Sequence, residues 1–444
     1  MLIQSTPFGL AGLTGTAGLP MAAIEFAAGD ALLAAYKKTP AGAFIWSAAQ
    51  KSFKVEGGGA PSGFSSYGLD GELRIKPDIA APGGNIYSTY PINRGGYAIL
   101  SGTSMATPYT TGAQALLYNA HKRVIKAVDA RRILKATATP GKNFKGTIPA
   151  SVAKQGAGLV NIKNAVAVKA IVSPEHIQLL DTIHFAGKSI EVKIKNTGKK
   201  TATYVFSHEA AESLVSYRGG NTFPLLTPVI QNDAAKVKFS ASKVTIKPGQ
   251  IGRVKVKFSE PSTGKAEEFP LYSGYIVATP SGKGAIPLRV PYAGVKGDVA
   301  KIPIMDTSLG APVAAANGGD IAPGQKLTTV DDVYFILRLG SHSPDVRITL
   351  VEKASGKSVG YVATSQGAAY GAFGRNANLN SDGDNYDLVV LDWRVGKVFP
   401  DKTSTTAITA PAGAYKLVIS AQHKLSKGNY PADFEVYEVA DITL

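Results

Sequence analysis

The sequence predicts a multidomain fold in which an α/β region is followed by two β-sandwich-like units. The chain has 444 residues, more than one ordinary hydrophobic core accommodates. Apolar residues recur at helical spacing in residues 104–120, whereas from about residue 171 they alternate with a period of two. The 48 glycines and 26 prolines are typical of a chain with many turns between short strands.

The amino-terminal part divides into two predicted segments. Residues 1–58 are rich in Ala and Gly and predict one helix, with Asp30 as its N-cap. Residues 59–170 have an α/β pattern, with a helix that begins at Ser104. We expect Pro108 in the first turn of that helix, where a missing amide hydrogen costs little.

The carboxy-terminal part divides into two predicted β-rich units. In residues 171–300, strands such as 190–195 alternate between apolar and charged side chains. Residues 301–444 contain a further set of strand patterns. The Ala-, Gly- and Pro-rich segment 311–324 is expected to be a loop that separates the two units.

Composition limits the function classes. The chain carries a formal net charge of +16 and no cysteine, so no disulfide stabilises it. Many lysines lie in the alternating strands, namely Lys193, Lys195, Lys236, Lys238, Lys255 and Lys257. A solvated basic face is the favoured interpretation over an anion-binding or nucleic-acid footprint, because no nucleic-acid motif accompanies the charge. No apolar run is long enough to span a membrane, and residues 1–19 lack the basic start of a signal peptide.

One heptapeptide points to chemistry. Residues 102–108 are Gly-Thr-Ser-Met-Ala-Thr-Pro. A serine at the start of a helix lies beside unpaired backbone amides, whose partial positive charge favours a developing oxyanion. The alternative is that Ser104 is an ordinary helix N-cap. That alternative does not explain why the flanking segments are also distinctive.

Four segments in order carry a resemblance to a known family. They are Phe-Ser-Ser-Tyr-Gly at 64–68, Lys-Pro-Asp-Ile-Ala-Ala-Pro-Gly at 76–83, the heptapeptide, and Gln-Gly-Ala-Gly-Leu-Val-Asn at 155–161. Together they resemble the subtilisin-like serine proteases, or subtilases, of the multidomain type. The segment 76–83 matches a strand of that family.

The resemblance implies a domain plan. Residues 1–58 are similar to part of a protease-associated insert, and 59–170 to the carboxy-terminal half of the α/β catalytic domain. Residues 171–300 resemble a fibronectin type III-like domain, most clearly at 271–276. Residues 301–444 form the second β-rich domain. The chain is thus expected to represent the carboxy-terminal portion of a longer protease, or a truncated product.

The resemblance also implies a function. It makes Ser104 the nucleophile of an endopeptidase that passes through an acyl-enzyme, with its own amide as one oxyanion donor. It implies a polypeptide substrate, an extracellular or cell-surface location and no required cofactor. Nucleic acid is not an expected partner, and the sequence does not fix the oligomeric state.

The family's remaining catalytic segments are absent. The family carries its acid in Asp-[Ser/Thr]-Gly and its base in His-Gly-Thr, and none of the six histidines here precedes Gly-Thr. A serine nucleophile needs a base and an acid that orients it, so we expect the chain alone to be inactive. The alternative function is a non-catalytic β-domain binding or adhesion protein that carries a degenerate protease half-domain.

One weaker signal concerns a metal. Asn378, Asn380, Asp382 and Asp384 place oxygen ligands at alternate positions, as in the front of a calcium loop. Val389 occupies the twelfth position, where such a loop carries glutamate. An Asx-rich turn between strands is therefore favoured, with calcium binding as the alternative.

Overall fold

The computed structural model describes residues 26–39, 58–121, 124–217, 224–225, 227–282, 284–307, 310–373 and 388–444. The architecture is multidomain, with a region of helices and few strands followed by a mostly β-sheet part. Within the described ranges, no helix is long and apolar enough to cross a membrane.

Helices are concentrated before residue 170. The helices are α1 (Phe26–Lys38), α2 (Thr103–Ala120), α3 (Ala127–Ala136), α4 (Val152–Gln155) and α5 (Ile162–Ala167). Strands β1 (Ile86–Thr89) and β2 (Tyr97–Leu100) form an antiparallel hairpin just before α2. Helix α3 has the clearest amphipathic pattern, since Ile133 and Leu134 are buried on one side.

Two facing sheets make up the first β-rich unit. One sheet has the order β3-β5-β10-β8 and the other β4-β12-β11-β6-β7, with β9 paired to β6. The strands are β3 (Ala170–Ser173), β4 (Ile177–Leu180), β5 (Ile190–Asn196), β6 (Ala202–Val215), β7 (Val229–Gln231), β8 (Lys236–Phe239), β9 (Lys243–Ile246), β10 (Ile251–Ser259), β11 (Leu271–Pro280) and β12 (Leu288–Val295). Buried Val254 and Val256 alternate with exposed Lys255 and Lys257 along β10, as a strand buried on one face requires.

The second β-rich unit is also built from two sheets. Their orders are β14-β13-β16-β21 and β15-β25-β24-β17-β18-β22-β23, and β19 and β20 pair with β18 and β17. The strands are β13 (Val313–Ala316), β14 (Gly319–Asp320), β15 (Gln325–Lys326), β16 (Val333–Leu337), β17 (Ser343–Glu352), β18 (Ser358–Thr364), β19 (Gly367–Ala368), β20 (Tyr370–Phe373), β21 (Val389–Trp393), β22 (Lys397–Phe399), β23 (Ile408–Thr409), β24 (Ala414–Gln422) and β25 (Phe434–Thr443). Buried Phe335 of the first sheet and Ile348 and Leu417 of the second belong to one core.

The helical region and the first β-rich unit share a hydrophobic core. Leu117 of α2 and Ile133 of α3 belong to the same buried cluster as Val256 and Tyr292 of the sheets. A second cluster joins Val152 of α4 to buried residues of β6, β11 and β12. Burial of apolar area across this boundary stabilises both parts together.

Four local predictions differ from the structure. Asp30 lies inside α1, which begins at Phe26, so it is not the N-cap. Pro108 is the sixth residue of α2, and so lies beyond the first turn. The segment 76–83 forms one β-bridge, at Ala80, instead of a strand, because pairing with a neighbouring segment, not local sequence, defines a strand. The predicted loop 311–324 contains β13 and β14, so it belongs to the second β-rich unit.

Candidate active site

Ser104 is the second residue of α2, one position after the first helical residue. The N-cap Gly102 supplies no side-chain hydrogen bond to the first turn. Among the backbone groups described, Met105 N donates to Gly102 O at 3.1 Å, whereas the amide of Ser104 has no recorded acceptor. An unpaired amide at a helix start is a donor available to an anion.

The turn before α2 is positioned by the segment 83–85. Gly102 N donates to Gly83 O at 2.8 Å, and Asn85 N donates to Ser101 Oγ at 2.8 Å. A β-carbon on Gly83 would lie 2.8 Å from Gly102 O, whereas one on Gly102 would meet nothing closer than 3.7 Å. The backbone of Gly102 is extended, with φ 161°. Gly83, not Gly102, is therefore the glycine that this turn needs.

Backbone hydrogen bonds join segment 76–83 to the segment that follows α4. Ala80 N donates to Gly158 O at 2.9 Å and Val160 N donates to Ala80 O at 2.8 Å. The family-like segments 76–83, 102–108 and 155–161 thus lie in one layer of hydrogen-bonded backbone. These segments are far apart in the sequence but are joined by hydrogen bonds in the structure.

The hydroxyl of Ser104 is available to an incoming group. Ser104 is exposed, and within the described residues its side chain has no hydrogen-bond partner. Pro108 has no amide hydrogen to donate to the carbonyl of Ser104, so the first turns of α2 are less tightly bonded. Three threonine hydroxyls, those of Thr107, Thr110 and Thr111, donate instead to carbonyls four residues earlier.

Much of α2 is uncovered. Only Ala113 and Leu117 are buried along the helix, whereas Tyr109 and Leu116 are 47% and 57% exposed. In the adjacent hairpin, Tyr87 and Tyr97 stack with ring centroids 5.5 Å apart and are also exposed. Both α2 and the hairpin that precedes it therefore leave large apolar or aromatic side chains in water.

All six histidines lie within the described residues, and none of them forms a hydrogen bond with Ser104. His121 follows the other end of α2, about 25 Å away at the rise of an α-helix. The others lie in the β-rich units, where the recorded ring partners are Lys135 for His176, Asp181 for His184, Tyr292 for His208 and Glu72 for His342. Buried ring nitrogens of His121 and His423 have no hydrogen-bond partner in the described part of the chain.

A charged cluster that the sequence analysis did not identify includes Asp78 of the segment 76–83. Lys135 is almost fully buried, and its Nζ lies 2.7 Å from Asp78 Oδ1 and 3.0 Å from His176 Nδ1. Partial burial would raise the pKa of Asp78, but hydrogen bonds from Lys135 and Lys76 lower it to about 2. Burial, followed by the charge of Lys135, lowers the pKa of His176. The only sequence signal was a lysine on the apolar face of α3.

Two cavities adjoin this region. One of about 420 Å³ is lined by Gly83, Gly102, Thr103 and Ala106, together with residues of 58–65. A larger one of about 790 Å³ lies between 61–73, the first β-rich unit and His342. Ser104 lines neither of them, so the hydroxyl faces open solvent beside the smaller cavity.

The calcium prediction concerns Asn378, Asn380, Asp382 and Asp384, which lie outside the described residues. Across the described ranges, no group of three or more metal-binding side chains is present. Calcium binding by the segment 378–384 stays a prediction.

Two regions of the chain match known protein families. Residues 31–158 match the subtilase family, and residues 177–293 match an Fn3-like domain. The second match falls on the two-sheet unit that shares its core with α2 and α3. Neither comparison tests the proposed domain boundaries or the role of Ser104.

Individual relatives are proteinases. The PI-type proteinase of Lactococcus lactis subsp. cremoris is 29% identical over 281 residues, covering 58% of this chain and 14% of that protein. The C5a peptidase of Streptococcus pyogenes is 27% identical over 298 residues, covering 62% of this chain and 24% of that protein. This chain therefore spans less than a quarter of the length of these curated relatives. Among solved structures, a class 5 fimbriae chaperone aligns with 61% of this chain and 99% of its own at 9% identity. The TM-score is 0.23, so we infer no shared fold from this alignment.

Proposed function

Since residues 31–158 match the subtilase family and residues 177–293 match an Fn3-like domain, we propose that the chain is part of a serine endopeptidase. Ser104 Oγ attacks the carbonyl carbon of a peptide bond, the C–N bond breaks, and the amine leaves with the proton that the hydroxyl gave up, which leaves an acyl-enzyme. The observation that supports this role best is the exposed hydroxyl at the start of α2, next to its own unpaired amide.

The oxyanion would be stabilised from the helix start. As the carbonyl carbon becomes tetrahedral, negative charge develops on its oxygen. The amide of Ser104 belongs to the first turn of α2, where the positive end of the helix dipole lies. A substrate carbonyl approaching Oγ can therefore place its oxygen near this donor.

The proton acceptor is the missing part. The hydroxyl must lose its proton as it attacks, and an imidazole commonly accepts it. Each of the six histidines is placed elsewhere, and His121 is separated from Ser104 by the length of α2. We propose that the base and the acid that orients it come from residues outside these 444, and that the chain alone does not hydrolyse peptides.

The exposed face of α2 supports the same proposal. Helices in folded domains usually bury one apolar stripe, but Tyr109 and Leu116 are in water. An additional part of the catalytic domain packed there would cover these side chains and place a histidine near Ser104. Substrate, partner and an extracellular location are proposals on the same basis.

A labelling experiment tests the nucleophile. A fluorophosphonate probe phosphonylates an activated serine, so we expect slow labelling of the chain, confined to Ser104 by peptide mass mapping. Since a general base contributes roughly 10²–10⁴-fold, free imidazole added to the buffer should accelerate this labelling. Ser104→Ala should remove the accelerated part.

The neighbouring serine gives the matched control. Ser101 lies three residues before Ser104, and its hydroxyl accepts a hydrogen bond from Asn85 N. The variant Ser101→Ala should therefore retain imidazole-dependent labelling. Labelling spread over several serines would contradict the role of Ser104. Fast labelling without imidazole would show that the chain already contains its base.

A further inference from the structure

The strands β5, β8 and β10 carry a dense set of cations on the outward face of one sheet. Residues opposite each other in the register share a face, and this register places Lys193 opposite Arg253 and Lys257 opposite Lys238. We define the basic face by these three strands' outward cations, which are Lys193, Lys195, Lys236, Lys238, Arg253, Lys255 and Lys257.

The basic face is poorly neutralised. Its only carboxylate on these strands is Glu191, which pairs with Lys193 at 3.2 Å and with Arg253 at 2.8 Å. The other five cations form no salt bridge within the described ranges: Lys195, Lys236, Lys238, Lys255 and Lys257. Like charges directly opposite each other destabilise a sheet. An anionic ligand would relieve this repulsion.

The arrangement of the cations on the basic face indicates whether a small or an extended anion binds there. Small anions bind where donors converge in a concave site, but these cations project from the outward face of three neighbouring strands. Along β10, Arg253, Lys255 and Lys257 extend over roughly 13 Å, and neighbouring strands are about 4.8 Å apart. A set of point charges spaced along and across three strands fits an extended polyanion whose charges repeat along its length.

The side-chain types narrow the chemistry. Six of the seven cations are lysines, which bind phosphate as point charges, whereas bidentate recognition of carboxylate or phosphate favours arginine. No outward residue of β5, β8 or β10 is aromatic, so the face offers no platform on which nucleic-acid bases could stack. We propose that the basic face binds a linear phosphate polymer through its backbone charge.

This interaction is independent of Ser104 and of the proposed protease chemistry. The basic face lies on the Fn3-like domain, which folds as two complete sheets. Binding there would hold the chain on a phosphate-rich polymer through residues that do not include Ser104. The basic face also accounts for part of the net charge of the chain, which is +16.

The test uses the full chain and fluorescently labelled inorganic polyphosphate, with binding followed by anisotropy over a salt series. We expect log K to fall linearly with log salt. The triple variant Lys238→Gln, Lys255→Gln, Lys257→Gln should reduce the magnitude of that slope by about 3, one for each lost phosphate contact. Polyphosphate should also raise the melting temperature of the wild-type chain.

Two further variants make the result specific. Lys326→Gln, Lys357→Gln, Lys427→Gln removes the same charge from exposed positions of the second β-rich unit and should keep the wild-type slope. Glu191→Gln frees Lys193 and Arg253 and should tighten binding, which a general loss of folding cannot imitate.

Four outcomes would overturn the proposal. These are no binding of polyphosphate at low salt, equal effects of the two triple variants, stronger binding of single-stranded DNA than of polyphosphate, and binding only to anionic lipid vesicles. The labelling of Ser104 does not enter this measurement. Failure here would therefore leave the proposed nucleophile standing, and the reverse also holds.

Discussion

At the residue scale, the turn that presents Ser104 depends on close backbone packing between two segments. Gly83 faces Gly102 O and the side chain of Ala106 so closely that a β-carbon would lie 2.8 Å from the first and 3.3 Å from the second. Gly102 has room for a methyl group and an extended backbone. The two glycines of the family-like segments thus have different roles.

Gly83→Ala should lower the stability of the chain, whereas Gly102→Ala should not. Overpacking against backbone costs about 1–3 kcal/mol, and a substitution in open space changes stability by less than about 0.5 kcal/mol. Urea unfolding of the two variants measures the difference. Equal midpoints for both would contradict the packing of 83 against 102.

A second residue-scale contact joins the helical region to the Fn3-like domain. Ser273 Oγ accepts from Val152 N at 3.1 Å, donates to Glu212 O at 3.2 Å and lies 3.2 Å from Ser151 Oγ. Ser273 and Ser151 are fully buried. A buried amide deprived of its acceptor costs more than an average hydrogen bond contributes.

Ser273→Ala should therefore destabilise the chain by about 1–3 kcal/mol. The matched control is Ser259→Ala on the exposed face of β10, which should stay within about 0.5 kcal/mol of the parent. Chemical denaturation of the purified variants gives both values. A loss at Ser259 as large as that at Ser273 would exclude a special role for the buried hydroxyl.

At the scale of elements, Lys135 connects α3 to two other segments. It pairs with Asp78 of the family-like segment 76–83 and with His176 in the connection between β3 and β4. Glu175, paired with Arg131, and Lys76 are the other charges facing this cluster. Neutral His176 accepts a hydrogen bond from Lys135, whereas its protonated form would oppose a buried cation.

The cluster of Lys135, Asp78 and His176 predicts that the folded chain becomes less stable at acidic pH. The pKa of His176 is lowered by folding, so its stabilising contribution is complete above the unfolded value of about 6.5 and is lost as pH falls through the folded value. Asp78, with a pKa of about 2, stays charged over this range. The urea midpoint should therefore drop from about pH 7 to about pH 5.

His176→Asn retains an acceptor for Lys135 without titrating near neutral pH. Its urea midpoint should change less over the same pH interval than that of the parent chain. As a control, His184→Asn alters a half-exposed histidine beside Asp181, outside this cluster, and should preserve the parent's loss on acidification. An unchanged pH profile in His176→Asn would remove His176 as the cause.

At the scale of the whole molecule, the cores group the chain differently from the sequence segments. The core of the Fn3-like domain continues into α2, α3 and α5, while the second β-rich unit has a core of its own. A smaller cluster connects Leu73 to Val299 and Ile302 at the boundary. Shared burial predicts that the first two parts unfold together.

Calorimetry should therefore show two transitions. Leu417→Ala empties a fully buried position of the second unit and should cost about 2–5 kcal/mol in that transition alone. Ser273→Ala should lower only the other transition. If Leu417→Ala shifted both transitions equally, the described parts would form one cooperative unit.

The sequence alone determined the local features of this protein. The heptapeptide at 102–108 and its flanking segments indicated the family and the helix that begins near Ser104. Both are local features, because a motif and a helical period depend only on residues close together in the sequence. Alternation along 253–258 likewise predicted β10, since side chains of a strand point to opposite faces.

Only the tertiary structure decided how these elements combine. Segment 76–83 has a strand-like sequence but no continuous partner, and the lysines of three strands became one surface only through their register. The burial of Lys135, the exposure of Ser104 and the core shared by α2 and the Fn3-like domain also come from distant residues. The physical reason is that strand pairing and burial depend on long-range contacts, which a local pattern does not specify.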